Sequence, residues 1–288
     1  MKPIFKPQTE WLPPQTFPDL SDYSEISIDL ETRDPDLKTL GSGSVVGRSE
    51  IVGIAVAVQG WSGYYPIAHE GGGNMDKKMV LKWFQDILNT ESIKIFHNAM
   101  YDVCFIRAAG LKINGTIVDT MIAGSLVDEN RFRYDLGSMG RDYLGRGKNE
   151  AVLNETAAIW GVDAKSEMYK LPAMYVGEYA ERDAEMTLEL WQEMKKEIYT
   201  QDIEDIFNLE IELFPCLVDM RFLGVRVDVE AANQLKQKLL AEEKECLQKV
   251  KKETSIDIQI WAARSIAQVF EKLRLPFDRT EKTNSPSF

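Results

Sequence analysis

Asp29 and Glu31 in the run Ser27-Ile28-Asp29-Leu30-Glu31, Asp102 in Asn98-Ala99-Met100-Tyr101-Asp102, and Tyr179 with Asp183 in Tyr179-Ala180-Glu181-Arg182-Asp183 are the side chains best suited to chemistry in this sequence. Gathered in one place, four carboxylates repel one another unless divalent cations stand between them, and such a cluster suits two-metal hydrolysis of phosphodiesters. The spacing favours gathering. Residues two apart on a strand share a face and lie roughly 6.5–7 Å apart, so Asp29 and Glu31 would project side by side. Residues four apart on a helix share a face, which pairs Asn98 with Asp102 and Tyr179 with Asp183. Asp183 also opens the row Met186, Leu190, Met194 and so points toward the core, where a carboxylate is costly unless paired or metal-bound. Singly, the others have plainer readings: a solvent-facing Asp-x-Glu, an N-cap at Asn98 followed by a first-turn acid, a half-buried tyrosine.

With 288 residues, 44% of them hydrophobic, the chain can bury a substantial core as one large domain or two smaller ones. Its formal charge of −12 argues against a protein that coats nucleic acid, though not against one that holds a strand end through cations. Three scattered cysteines, Cys104, Cys216 and Cys246, give neither a disulfide framework nor zinc spacing and point to a reducing compartment. No apolar run has the length of a membrane span, the start lacks a signal-peptide core, and the first arginine is Arg33. The expectation is a soluble cytoplasmic protein without membrane contact, in the host cytoplasm if the source is a phage.

Five prolines in the first twenty residues suggest an extended arm over the domain. Ile26, Ile28 and Leu30 alternate with Ser27, Asp29 and Glu31, the pattern of a strand with one buried face. Apolar runs at 51–58 and 63–67 around Gln59-Gly60 complete a three-strand meander. A helix is expected over 76–88, a buried strand over 93–96, a helix from Asn98 to about 109, a strand over 116–118 and a helix from Asp119. Gly71-Gly72-Gly73 lacks the following Lys-Ser or Lys-Thr of a phosphate cradle and reads as a loop. Between 130 and 171 the pattern gives only short helical pieces. A long helix over 175–199 carries Met186, Leu190, Met194 and Ile198 on one stripe. From 201 the chain reads as almost pure helix, with stripes Ile206, Leu209, Leu213, Leu217 and Ala232, Leu235, Leu239, Cys246, Val250. The organisation expected is an α/β domain over 1–200 and a helical segment over 201–288. Arg131, Arg133, Arg141, Arg146 and Lys148 surround Phe132 and Tyr134, but nearby Asp128, Glu129, Asp135 and Asp142 make a solvated mixed-charge face the better reading. His97, closing a buried strand, reads as a satisfied core histidine.

The ordered set Asp-x-Glu, Asn-x-x-x-Asp, Tyr-x-x-x-Asp resembles the 3′-5′ exonucleases of the DEDD superfamily, tyrosine branch. Val118-Asp119-Thr120-Met121 is similar to the proofreading domain of family A DNA polymerases. The segments Leu213-Phe214-Pro215, Met220 to Asp228 and Arg279 to Phe288 resemble the polymerase thumb, particularly of phage-type enzymes. The resemblance implies a ribonuclease H-like fold, a mixed five-stranded sheet flanked by helices, followed by a small all-helical segment that is a partial thumb. It implies two ions, Mg²⁺ or Mn²⁺: Asp29 bridging both, Glu31 and Asp183 completing the site that activates water, Asp102 supporting the second. Tyr179 would orient the attacking water, and Leu30, Thr32 and Asn98 would contact the terminal nucleotide.

The implied partner is the 3′ end of single-stranded DNA. No His-Asp-Glu segment of a polymerase palm is present, since neither His69 nor His97 is followed by Asp-Glu, so polymerisation is not expected of this chain. A palm and fingers would come from a missing C-terminal part or from a separate chain, and the helices at 201–288 would then expose apolar surface. Two alternatives keep the fold: a ribonuclease D-like 3′-5′ exoribonuclease, or a catalytically idle nucleic-acid-binding and docking module.

Overall fold

The computed structural model describes residues 9–288; Pro3 and Pro7 of the expected arm lie outside the described residues. The chain divides into two units, residues 1–223 and 224–288. The first contains β1 (Glu25–Arg33), a short α1 (Leu37–Leu40), β2 (Glu50–Val58), β3 (Trp61–Pro66), α2 (Lys77–Leu88), β4 (Ile93–Phe96), α3 (Ala99–Ala108), β5 (Ile117–Asp119), α4 (Thr120–Val127), α5 (Leu136–Leu144), α6 (Ala151–Trp160), α7 (Gly177–Thr200) and α8 (Glu204–Leu223). Two 3₁₀ turns precede α7.

The five strands form one sheet in the order β3-β2-β1-β4-β5. β1, β2 and β3 make the antiparallel meander, while β4 and β5 add parallel to β1. This is the ribonuclease H-like mixed sheet expected from the sequence, with helices on its faces. The meander follows from two apolar runs joined at Gln59-Gly60, and the parallel additions follow from helical crossovers after short buried runs.

β1 departs from its expected one-sided pattern. Ile26, Ile28 and Leu30 enter the main core, but Ser27 on the opposite face is buried as well. A strand in the middle of a sheet covered on both sides has no solvent face, and α7 packs across β1, β2 and β3 here. Small side chains allow that approach. Ala55 and Ala57 of β2 meet Ala180 and Ala184 of α7 in one buried cluster, while Ile54, Val56 and Val58 point the other way into the main core.

Polar anchors fix α7 at several points. Glu25, at the start of β1, accepts from Trp191 Nε1 at 3.0 Å, Gln192 Nε2 at 2.9 Å and Lys195 Nζ at 2.7 Å. On edge strand β3, the Tyr64 N–H donates to Glu181 Oε1 at 2.9 Å and the Ser62 hydroxyl donates to Glu185 Oε1 at 2.6 Å. These glutamates cover an edge that would otherwise offer unpaired backbone groups. The row Met186, Leu190, Met194 and Ile198 is buried as its spacing requires.

The described part of the arm lies over the domain. The Tyr65 hydroxyl donates to Thr16 O at 3.0 Å, Trp83 Nε1 donates to Pro18 O at 2.8 Å, and Phe17 stacks on Tyr65. Trp11 closes over Gly177 at the start of α7.

α8 shows where helical periodicity misleads. Phe207, Phe214 and Val218 are buried, whereas Ile206, Leu209, Leu213 and Leu217 are exposed. The helix is apolar on two faces, and the aromatic face wins because it buries more area: Phe207 stacks on Trp191 at 5.5 Å, and Phe214 and Val218 join the core beneath α3. Arg107 of α3 pairs with Asp219 and lies over the Phe222 ring. By packing, then, the first compact unit extends through Leu223.

The second unit holds α9 (Val229–Thr254), α10 (Ala263–Leu273) and a minimal hairpin of β6 (Asp278–Arg279) and β7 (Pro286–Ser287). Asp228 caps α9 by accepting the Ala231 N–H at 2.9 Å, and Phe270, Phe277 and Phe288 cluster together. Leu235, Leu239 and Cys246 of the expected α9 stripe are exposed, with nothing among the described residues covering them. No helix among the described residues is long and apolar enough to cross a membrane.

A Cβ on Gly177 would stand 2.0 Å from Trp11 Cε2. Gly177→Ala should therefore cost about 1–3 kcal/mol in urea unfolding, although alanine is the better helix former. Combined with Trp11→Ala, the two effects should be clearly less than additive. Full additivity would show that the indole does not sit there.

Candidate active site

β1 and β4 pair only through Glu25, Ile26 and Ser27 on β1, and beyond Ser27 they part. Clefts at the carboxyl ends of such strands are where open α/β sheets place ligands. The fold fills this one with carboxylates. After β4 the chain turns into α3 through Asn98, whose backbone is left-handed at φ 68°. Asp119, at the end of β5, holds the turn by accepting the N–H groups of Asn98 at 2.9 Å and Ala99 at 2.8 Å. Asn98 thus occupies the N-cap position without a side-chain capping bond, and the neighbouring strand supplies the acceptor instead.

That turn delivers Asp102 to β1. Its Oδ1 accepts the Leu30 N–H at 3.0 Å, at the residue between Asp29 and Glu31. The β1–β2 register slips between Glu31 and Thr32, a bulge that re-aims the strand end. The Thr32 hydroxyl lies 2.7 Å from the Tyr101 hydroxyl. From the other side, α7 carries Tyr179 and Asp183 over the polar face of β1, brought close by the alanine contacts of its first turns.

The fields of these groups show that the five residues are brought together. Burial, then the Asp183 charge, raises the Asp29 pKa to about 7. Glu31 is pushed well above the usual carboxylate range by burial and by the charges of Asp29 and Asp183. Asp102 is raised by burial and by Asp29, with its Leu30 hydrogen bond opposing. Burial also raises Asp183, against the pull of Lys148 and a hydrogen bond from Tyr179. The Tyr179 phenol is held well above its ordinary value by burial and by the nearby carboxylates. Asp102 is 5% exposed and Asp183 2%, while Asp29 and Glu31 remain half-buried and open to the cleft.

Among the described residues, no three His, Cys, Asp or Glu side chains already form a cage for a metal ion. The donor set nevertheless fits hard divalent cations. It is all oxygen, and its excess negative charge is what such ions would neutralise.

The expected nucleotide contacts divide. Asn98 is exposed, Thr32 is half-buried and engaged by Tyr101, and the Leu30 side chain is taken up by the core. The mixed-charge reading of the 131–148 stretch holds for Arg131, paired with Asp142 at 2.7 Å, and for Arg146, paired with Glu189 at 2.6 Å. It fails for Lys148. From the loop between α5 and α6, Lys148 Nζ reaches Asp183 Oδ2 at 2.5 Å and the Tyr179 hydroxyl at 3.2 Å. No periodic pattern marks this residue, because only the path of the loop brings it to α7.

His97 is less satisfied than its sequence position suggests. Nδ1 pairs with Thr120 Oγ1 at 2.8 Å, but Nε2 is buried without a hydrogen-bond partner. Burial, then the Lys148 charge, lowers its pKa to about 4. A second buried histidine supports the strands behind the site. Tyr64 fills the space left by Gly53, where a Cβ would stand 2.0 Å from its hydroxyl. That hydroxyl lies 2.6 Å from His69 Nε2, and His69 Nδ1 donates to Leu171 O at 3.0 Å. A cleft of about 730 Å³ around Glu25 and Trp61 is at the other end of β1 and contains none of the five residues.

Residues 6–199 match the family model for the 3′-5′ exonuclease of DNA polymerase A, and the chain belongs to that family. It is 33% identical over 291 residues to a DNA-directed DNA polymerase of Pseudomonas phage M6, covering 95% of this chain and 43% of that protein. It is 28% identical to the DNA polymerase DpoZ of Salmonella phage PMBT28, covering 76% of this chain and 34% of the relative. The chain therefore spans less than half the length of these relatives. Among solved structures, the POL domain of Pol1 from M. smegmatis, in complex with DNA primer-template and dNTP, superposes with a TM-score of 0.61. It has 16% identity and covers 93% of this chain and 41% of that one. Brucella melitensis NrnC bound to pGG gives a TM-score of 0.52 at 16% identity, covering 73% and 91%. These two likenesses speak for the fold.

Burial lowers the His69 pKa to about 4, against an ordinary 6.5. Its native ring stays neutral while the unfolded chain takes up a proton below about pH 6.5, so its contribution is complete above 6.5 and lost as pH falls toward 4. The stability difference between the native protein and His69→Gln should therefore shrink by about 2 kcal/mol between pH 7.5 and pH 5 in urea titrations. A pH-independent difference would contradict the neutral, doubly bonded ring.

Proposed function

We propose that this chain is a metal-dependent 3′-5′ exodeoxyribonuclease. It removes nucleoside monophosphates from the 3′ end of single-stranded DNA and proofreads for a family A polymerase. The observation that carries this reading is the convergence of Asp29, Glu31, Asp102, Tyr179 and Asp183 at the parting of β1 and β4, with mutually raised carboxylate pKa values. Asp29, Glu31, Asp183 and Asp102 would hold two divalent ions, Mg²⁺ or Mn²⁺, and the ions would lower the pKa of the attacking water and stabilise the leaving 3′ oxygen.

The protein's own groups do the rest. Asp102 is held against β1, between Asp29 and Glu31, by the Leu30 N–H at 3.0 Å. Tyr179 orients the water for in-line attack, and its phenol stays protonated through the neutral range because its pKa is raised. Thr32 and Asn98, with the Leu30 backbone, line the approach of the terminal nucleotide.

A DNA substrate is favoured because 33% identity to a phage DNA polymerase runs over 95% of this chain, past the exonuclease match that ends at 199. Residues 201–288 are on this reading a partial thumb. The outward apolar rows of α8 and α9 would be covered by a palm and fingers, supplied by a continuation of the polypeptide or by a separate chain. The reaction is one of the cytoplasm, the host's if the source is a phage.

The test is digestion of end-labelled single-stranded DNA and RNA side by side, with Mg²⁺, Mn²⁺ or chelator. DNA should be shortened from its 3′ end only with metal, and Asp29→Ala should reduce the rate by at least ~10²-fold. Tyr179→Phe should lose roughly 10–100-fold in rate with strand binding little changed. Preference for RNA would favour a ribonuclease D-like enzyme, and strand binding without metal-stimulated cleavage would favour an idle docking module.

A further inference from the structure

Two of the arginines that precede α6 pair with acids away from the carboxylate cluster, Arg131 with Asp142 and Arg146 with Glu189 of α7. Lys148 does not. Its Nζ lies 2.5 Å from Asp183 Oδ2, donates to the Tyr179 hydroxyl at 3.2 Å, and stands 5.3 Å from the centroid of the Tyr179 ring. Asp29 and Glu31 attract the same ammonium. The Lys148 side chain is 24% exposed and its partner on Asp183 only 4%, so the ion pair forms the inner wall of the cleft. We propose that the Lys148 ammonium is a resident counter-cation, seated beside Asp183 where a divalent ion is to bind, and that loading the ion displaces it.

The proposal rests on the metal-dependent reading above and adds to it a competition within the chain. One ammonium among four carboxylates leaves the cluster negative, so it relieves the repulsion without ending it. Asp183 Oδ2 cannot hold the ammonium and a divalent cation along the same direction, because two positive charges a few ångströms apart in a half-buried site repel strongly. The exchange has a structural consequence. The bond from Nζ to the Tyr179 hydroxyl breaks with it, so Tyr179 is released to orient water only once the ion is in place. Lys148 is on this account a positioning residue acting through Asp183 and Tyr179, and a safeguard that keeps the carboxylates from repelling one another apart in the unloaded protein.

Titration calorimetry with Mn²⁺ tests this directly, with thermal unfolding recorded for each protein with and without the ion. Lys148→Met should bind Mn²⁺ roughly tenfold or more tightly than the native chain, because the competitor is gone. Its metal-free form should melt lower, and Mn²⁺ should raise its melting temperature by more than it raises the native one. Lys148→Arg, which restores a cation, should return the affinity toward the native value. Unchanged or weaker Mn²⁺ binding by a folded Lys148→Met overturns the proposal; if that variant folds poorly, Lys148→Gln decides by the same comparison. Should the native chain bind Mn²⁺ no better than Asp29→Ala, the metal reading itself fails and the proposal with it. Native binding abolished by Asp29→Ala but indifferent to Lys148 would sink the counter-cation alone.

Discussion

The carboxylates at the parting of β1 and β4 raise one another's pKa values, so the folded chain carries at this spot a concentration of negative charge that burial makes worse. Each is held there by a separate part of the fold: Asp29 and Glu31 by the strand pleat, Asp102 by its bond to the Leu30 N–H, and Asp183 by the seating of α7. A protein that only needed to fold would gain by dispersing them or replacing them with apolar groups. Like charges concentrated in a cleft at the carboxyl ends of parallel strands make this a candidate functional site.

α7 is the element on which this geometry turns. The start of its buried face brings Tyr179 and Asp183 to the cleft, the apolar row that follows fills the second core cluster, and its glutamates close the β3 edge. The alanines it shares with β2 set how near it lies, and Glu25 pins its far half to the start of the same strand that carries Asp29 and Glu31. Strand and helix are thus fastened at both ends, which holds the opposed carboxylates in register.

Much of this was legible in the sequence because it obeys short periods. The strand alternation around Asp29, the helical spacing of Tyr179 and Asp183, and the row from Met186 to Ile198 each depend on neighbours a few residues away. What could not be read depends on tertiary contact. Burial of Ser27 follows from α7 crossing the sheet, and the capping of α3 by Asp119 follows from β5 lying beside β4. The buried face of α8 was misjudged because both faces are apolar, and only the positions of Trp191 and the main core decide between them. Lys148 was hidden for the same reason, as a lysine in a glycine-bearing loop whose partner stands on α7. Candidate residues placed by secondary structure were legible, and the lysine placed by a loop was not.

The account stands on divalent cations reconciling these charges, and anomalous scattering from a crystal soaked in Mn²⁺ measures that directly. Two peaks about 3.5–4 Å apart are predicted, with Asp29 between them and Glu31, Asp183 and Asp102 within bonding distance, roughly 2.0–2.3 Å. Manganese bound only elsewhere on the protein, or absent with the carboxylates unmoved, would contradict it.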